Sequence, residues 1–165
     1  MEQSGKTFVG FGFGPIQSGL FVLEAFLSGN FRRFTIAEVD ADLVRAVREA
    51  DGFYEVNVAH SDRISTERIG PVELLNPTVE EDARRLVEAV AEADELATAL
   101  PSVAFYGRGG NSSVAGVLAE GVRAALRFWL AESWPGESRQ SRDAIAILDM
   151  LDDNHAVKRK GNGAA

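Results

Sequence analysis

Residues 8 to 19, Phe-Val-Gly-Phe-Gly-Phe-Gly-Pro-Ile-Gln-Ser-Gly, have the spacing best suited to chemistry. A short apolar run ends in the spaced glycines Gly12 and Gly14, and a helix-like pattern follows at once. A strand, a tight turn and a helix in that order leave the first N–H groups of the helix without intrahelical acceptors. Such a helix end carries roughly +0.5 of an elementary charge and suits a phosphate. Gly12 would make the turn, and Gly14 would let a pyrophosphate approach the backbone. Pro15 fits the first helical position, where its missing N–H costs nothing. The dinucleotide fingerprint is G-x-G-x-x-G, and here Gln17 stands where its third glycine would be. Glycine-rich turns also join strands to helices with no ligand, so the turn alone leaves both readings open.

Glu38 is the second candidate. It lies near the end of a β-branched run, Phe34 to Val39, about twenty residues past the turn. A carboxylate there can accept hydrogen bonds from a ribose hydroxyl and repels a 2′-phosphate. It also fits an ordinary acid at a strand end. Turn and acid together favour a dinucleotide.

The elements that must position these residues follow from periodicity. Residues 7 to 12 read as a strand. Ile16, Leu20, Leu23 and Leu27 mark the apolar face of the next helix, which ends near Ser28-Gly29-Asn30. Asp40 can cap a helix with Leu43, Val44 and Val47 on its inner face and Gly52 after it. This β-α-β-α order implies a parallel sheet with right-handed crossovers. Residues 54–59, 63–69 and 72–75 read as strands joined by hairpin-type turns at Ser61-Asp62 and Gly70-Pro71, an insertion that a plain β-α-β unit lacks.

Thr78 and Glu81 match a capping box, ahead of an apolar stripe of Val79, Ala83, Leu86, Val87 and Val90. Leu96 to Leu100 reads as a buried parallel strand whose end would border the glycine turn. Gly107 to Gly110 reads as a flexible loop with no assigned ligand. Ser112 or Ser113 caps a long helix with a buried stripe of Val114, Val117, Leu118, Val122, Leu126 and Trp129. Residues 134–142 are polar and turn-like, and 144–148 read as a last strand. The expected fold is α/β, a Rossmann-type mostly parallel sheet with helices on both faces and a hairpin-like strand insertion. It occupies residues 1–157 as one domain, with a disordered tail at 158–165.

Composition narrows the function. A chain of 165 residues that is 45% hydrophobic suits one globular domain. Without cysteine there is no thiol nucleophile and no zinc–thiolate site, and no metal site is expected. A net charge of −8 argues against nucleic acid or an anionic membrane as partner. The polar start and the absence of a long apolar run make a cytoplasmic protein the default expectation. His60 stands at a turn and is assigned no role.

With these residues in place, the chain resembles the mannitol dehydrogenase family of polyol and sugar-acid dehydrogenases. Residues 11–19 resemble the family's opening Phe-Gly-x-Gly-x-Ile-x-x-Gly turn. Ile36-Ala-Glu-Val39 resembles its second strand with the ribose-binding acid. Tyr54 to Val58 resembles its insertion strand, and Ala97-Thr-Ala-Leu-Pro101 its strand end beside the nicotinamide. The chain departs from the family at Ser18, where an Arg is common, and after 148, where a Glu-Asn pair is usual.

The resemblance implies hydride transfer between a polyol C–OH and NAD, with a lysine as general base and no divalent metal. It also implies a C-terminal helical domain carrying the catalytic Lys, Asn and His. That domain is absent here, so this chain is expected to bind NAD and to be inactive alone. His155 and Lys158 are not given those roles, and no catalytic residue is assigned.

The expected cofactor-binding residues are Gly12, Phe13, Gly14, Pro15, Ile16, Gln17, Ser18 and Gly19 for the pyrophosphate, Glu38 for the adenosine ribose, and Thr98, Ala99 and Leu100 near the nicotinamide ribose. A polyol or sugar-phosphate substrate is expected only with the second domain. Two other readings remain: a stand-alone module that senses NAD, and a methyltransferase that binds S-adenosylmethionine. The strand end at 97–101 and the hairpin insertion speak against the methyltransferase.

Overall fold

The computed structural model describes residues 5–133. Residues through Gly121 form one compact unit, and a second unit begins at Val122. Strands β1 (Lys6–Phe11), β2 (Phe31–Ala37), β5 (Glu73–Leu75) and β6 (Glu95–Thr98) form a parallel sheet in the order β5-β2-β1-β6. Strands β3 (Tyr54–Ala59) and β4 (Ile64–Ile69) pair antiparallel as a separate hairpin. This is the expected Rossmann-type α/β architecture.

Alternation along the strands divides the core. Phe8, Phe34, Ile36 and Leu74 pack on one face with Val22 and Leu23 and with Val44 and Val47 of α2 (Ala41–Glu49). Val9, Phe11, Ala37 and Leu75 pack on the other face with Leu86, Ala89 and Val90 of α3 (Glu80–Ala91) and with Val117. Val117 lies in the first part of the long helix α5 (Val114–Ser133), which follows the short helix α4 (Ala104–Gly107). The hairpin's alternate residues Tyr54, Val56 and Val58 close over the first face.

Caps set several boundaries. Asp40 accepts from the N–H groups of Asp42 and Leu43 at 3.0 and 3.1 Å, as expected of a helix N-cap. Gly52 ends α2 at φ 80°, its N–H on the Val47 carbonyl. Ser113 caps α5 by accepting from Gly116 N–H at 3.1 Å.

Five expectations are corrected. Leu23 is buried as expected, but Ile16, Leu20 and Leu27 are exposed, and Gln17 and Val22 are buried instead. For Ile16 and Leu20 the cause is a π-helical segment, Gln17–Val22, ahead of α1 (Leu23–Leu27). One extra residue per turn rotates the face that α spacing selects. Gly70-Pro71 closes no hairpin, because β5 leaves β4 and joins the parallel sheet beside β2.

The Thr78–Glu81 box does not form. The Asn76 side-chain carbonyl takes both the Thr78 N–H and its hydroxyl, and the helix starts later, with Val79 at the N-cap position. Leu96 is exposed, since β6 pairs only with β1 among the described residues. Val122, Leu126 and Trp129 are exposed too, because periodicity marks a helix face without saying what covers it. The strand expected at 144–148 and the tail at 158–165 lie outside the described residues.

Replacing Asp40 with Ala should lower unfolding stability by about 0.5–2 kcal/mol, since two N–H groups lose their acceptor. Urea unfolding of the variant, with an unchanged slope, checks this.

Candidate functional site

The glycine turn lies at the carboxyl edge of the parallel sheet, where β1, β2 and β6 end together. Gly12 has φ 83° and donates to the Ala37 carbonyl at 2.8 Å. A Cβ on Gly12 would stand 2.8 Å from the Ala99 carbonyl oxygen, so both backbone freedom and space require glycine. Gly14 differs: its φ is not positive, and a Cβ there would meet nothing within 4 Å. The space above Gly14 is open, as a close-approaching pyrophosphate requires.

The helix begins at Pro15, and Ser18 N–H makes its first bond back to the Gly14 carbonyl at 2.9 Å. Gly14 and Ile16 are exposed, and their N–H groups precede any intrahelical partner. They can donate to an anion. Pro15 supplies shape alone.

Glu38 follows β2 and reaches the turn. Its Oε2 accepts from Phe13 N–H at 2.7 Å, and its Oε1 accepts from Asp40 N–H at 2.9 Å. One carboxylate therefore joins the glycine turn to the start of α2. Each oxygen keeps a further lone pair for a ribose hydroxyl. The end of β6 completes the edge. Thr98 stands opposite Phe11, Ala99 N–H donates to the Phe11 carbonyl at 3.0 Å, and the Leu100 side chain lies beside Gly12. The Thr98 and Tyr106 hydroxyls are hydrogen-bonded. The sheet thus brings together three segments far apart in the chain: the turn, Glu38 and residues 98–100.

Of the remaining expected residues, Phe13 and Gln17 are buried, and Ser18 and Gly19 are half-buried. The Phe13 ring is buried, edge-on to Tyr54 at 5.0 Å. The Ser18 hydroxyl donates to the Gly14 carbonyl at 3.0 Å, and Gly19 faces Val56 of the hairpin. Gln17 is fully buried, and neither atom of its side-chain amide has a hydrogen-bond partner. It occupies the third-glycine position of the fingerprint, and space for it comes from an unexpected place. A Cβ on Gly10, inside β1, would stand 2.1 Å from Gln17 Nε2. The missing third glycine is offset by a glycine in the opposing strand.

Sequence reasoning missed Gly10, Tyr54 and Asp82. Tyr54 donates to the Ser18 carbonyl at 2.9 Å, and burial raises its phenol pKa far above the ordinary value, so the donor keeps its proton. Buried Asp82 accepts from Asn76 N–H at 2.8 Å and from Arg48 at 2.7 Å, which ties β5, α2 and α3 together. A Gly in the middle of a β-branched and aromatic strand was the one available signal.

A cleft of about 400 Å³ lies elsewhere, lined by Val44, Arg45, Arg48, Asn76, Val79 and Asp82 among others. The described residues contain no group of three or more metal-ligating side chains. None of the described helices is long and apolar enough to cross a membrane. In comparisons with known proteins, the chain matches no family model and no curated sequence.

Replacing Gly10 with Ala should destabilise the fold by about 1–3 kcal/mol through overpacking against Gln17 and Ile36. The double variant Gly10→Ala/Gln17→Gly should recover most of that loss in thermal melts, whereas independent effects would add.

Proposed function

We propose that this chain binds a dinucleotide, NAD(H), at the carboxyl edge of its parallel sheet. We further propose that it serves as the cofactor-binding part of a polyol or sugar-phosphate dehydrogenase similar to the mannitol dehydrogenase family, in the cytoplasm. The observation that carries the reading is the contact between Glu38 and the glycine turn, 2.7 Å from carboxylate to Phe13 N–H. In a dinucleotide-binding fold, an acid at the end of the second strand beside the glycine turn is the group that holds the adenosine ribose. Open space over Gly14 and the Ala99–Phe11 pairing support the same reading.

In this reading, the N–H groups of Gly14 and Ile16 hold the pyrophosphate. Glu38 accepts from the adenosine ribose, and residues 98–100 border the nicotinamide ribose. When bound, the nicotinamide supplies the hydride acceptor. The chain's own residues bind and orient it.

Hydride transfer also needs a base on the substrate hydroxyl. Lys6 stands at the opposite edge of the sheet, paired with Glu95 at 2.8 Å. His60 sits at the hairpin turn, on the Ser65 hydroxyl. His155, Lys158 and Lys160 lie outside the described residues. Residues 5–133 therefore place no lysine or histidine at the cofactor edge.

Three measurements test this reading. Calorimetric titration should give tighter binding of NADH than of NADPH, because Glu38 repels a 2′-phosphate. The reverse order, or preferential binding of S-adenosylmethionine, would contradict it. Gly14→Val should keep its melting temperature within a few degrees, since the site is open and unstrained. It should also lose the stabilisation that NADH gives the wild type. A folded Gly14→Val chain that NADH still stabilises would remove the turn from its role. A panel of polyols and their phosphates should give no NADH formation with this chain alone.

A further inference from the structure

The helix after the glycine turn carries a local conflict. Gln17 and Val22, five residues apart, are both fully buried, which is the spacing of a π turn. The cost is visible on both sides of the helix. Inside, the Gln17 amide has no partner. Outside, Ile16 is 60% and Leu20 50% exposed. If Leu23 keeps its place in the core, continuous α spacing backward from it selects Leu20 and Ile16 as the buried pair and turns Gln17 outward. The sequence favours one register here, and the described structure holds the other.

The hairpin supplies what holds it. Tyr54 donates its phenol hydrogen to the Ser18 carbonyl, within the π segment. The Leu23 N–H bonds the Leu20 carbonyl. The Phe13 ring, ahead of the helix, packs edge-on against the same tyrosine. One residue of the hairpin therefore grips the chain on both sides of Pro15.

We propose that the first turns of this helix form a two-register switch. Tyr54 latches the ligand-free π register, and an anion seated on the Gly14 and Ile16 N–H groups draws the segment into the α register. Converting π to α moves the extra residue into the glycine loop and rotates the segment before Leu23 by about 100°. The change buries Ile16 and Leu20, frees Gln17 to reach water, and aligns the first-turn N–H groups with an unbroken helix dipole. The hairpin insertion thereby sets how readily the phosphate site assembles. For the identity of the anion, a dinucleotide pyrophosphate, the switch rests on the function proposed above.

Through-hydrogen-bond couplings on the isotope-labelled full chain read the register, because they name the acceptor of each N–H. In the free wild type, the amides of Phe21 and Val22 should couple five residues back. Tyr54→Phe should move a measurable fraction to four residues back and bind NADH severalfold more tightly, since more of the chain starts in the binding register. Gln17→Leu should stay five back and bind more weakly, because its apolar side chain favours the buried position. Saturating NADH should shift the wild type to four back. A Tyr54→Phe chain with couplings and affinity unchanged overturns the latch. NADH that binds while the couplings stay five back overturns the switch and leaves the function standing. A register shift in Tyr54→Phe without any NADH binding supports the latch and refutes the function.

Discussion

The candidate site depends on one carboxylate. Glu38 accepts from Phe13 N–H through one oxygen and from Asp40 N–H through the other. Hydrogen bonds to an ionised acceptor are about twice as strong as neutral ones. These two fix the glycine turn against the start of α2, where Asp40 in turn caps the helix. The parallel register of β1 and β2 brings Glu38 to the turn, since Phe11 and Ala37 are partners at the last position of the ladder. The clamp adds side-chain bonds to the Gly12–Ala37 backbone bond that already joins the two strand ends. With it, their donors and acceptors face one space.

A second constraint is crowding beneath the turn. Gly10 has no side chain because Gln17 lies over it, and Gly12 has none because the Ala99 carbonyl does. Both contacts bring chain segments closer than a Cβ allows, yet their outcomes differ. At Gly12 the close approach joins β6 to the turn. At Gly10 it admits a polar side chain that finds no hydrogen-bond partner. Natural sequences tend to agree across levels, and departures from agreement mark functional positions. Gln17, Ile16 and Leu20 make such a departure within one helix, directly after the glycine turn.

Much of the frame was legible in the sequence because it rests on local chemistry. Asp40 as a cap, Gly52 after α2 and the alternation in residues 54–59 each act within a few residues, and each stands where periodicity and turn chemistry put it. The helix faces were less legible. Ile16 and Leu20 fit an α stripe with Leu23, but a π segment of six residues between them changes which side is inner, and no local pattern signals it. The Thr78 box failed for a related reason. Asn76 competes for the same groups from just outside the helix, and Asp82 holds Asn76 through a contact that depends on β5 lying beside β2. The acid and the turn could be read separately, but their contact could not, because it depends on strand register.

Mapping amide chemical shifts during titration of the full chain with NADH tests the central claim most directly. Dinucleotide binding at the clamped turn should move the amides of Phe13, Gly14, Ile16, Asp40 and residues 98–100 first and furthest, saturating with one common affinity. Shifts centred instead on Arg45, Asn76 and Val79 at the other cleft, or no saturable shifts at all, would contradict it.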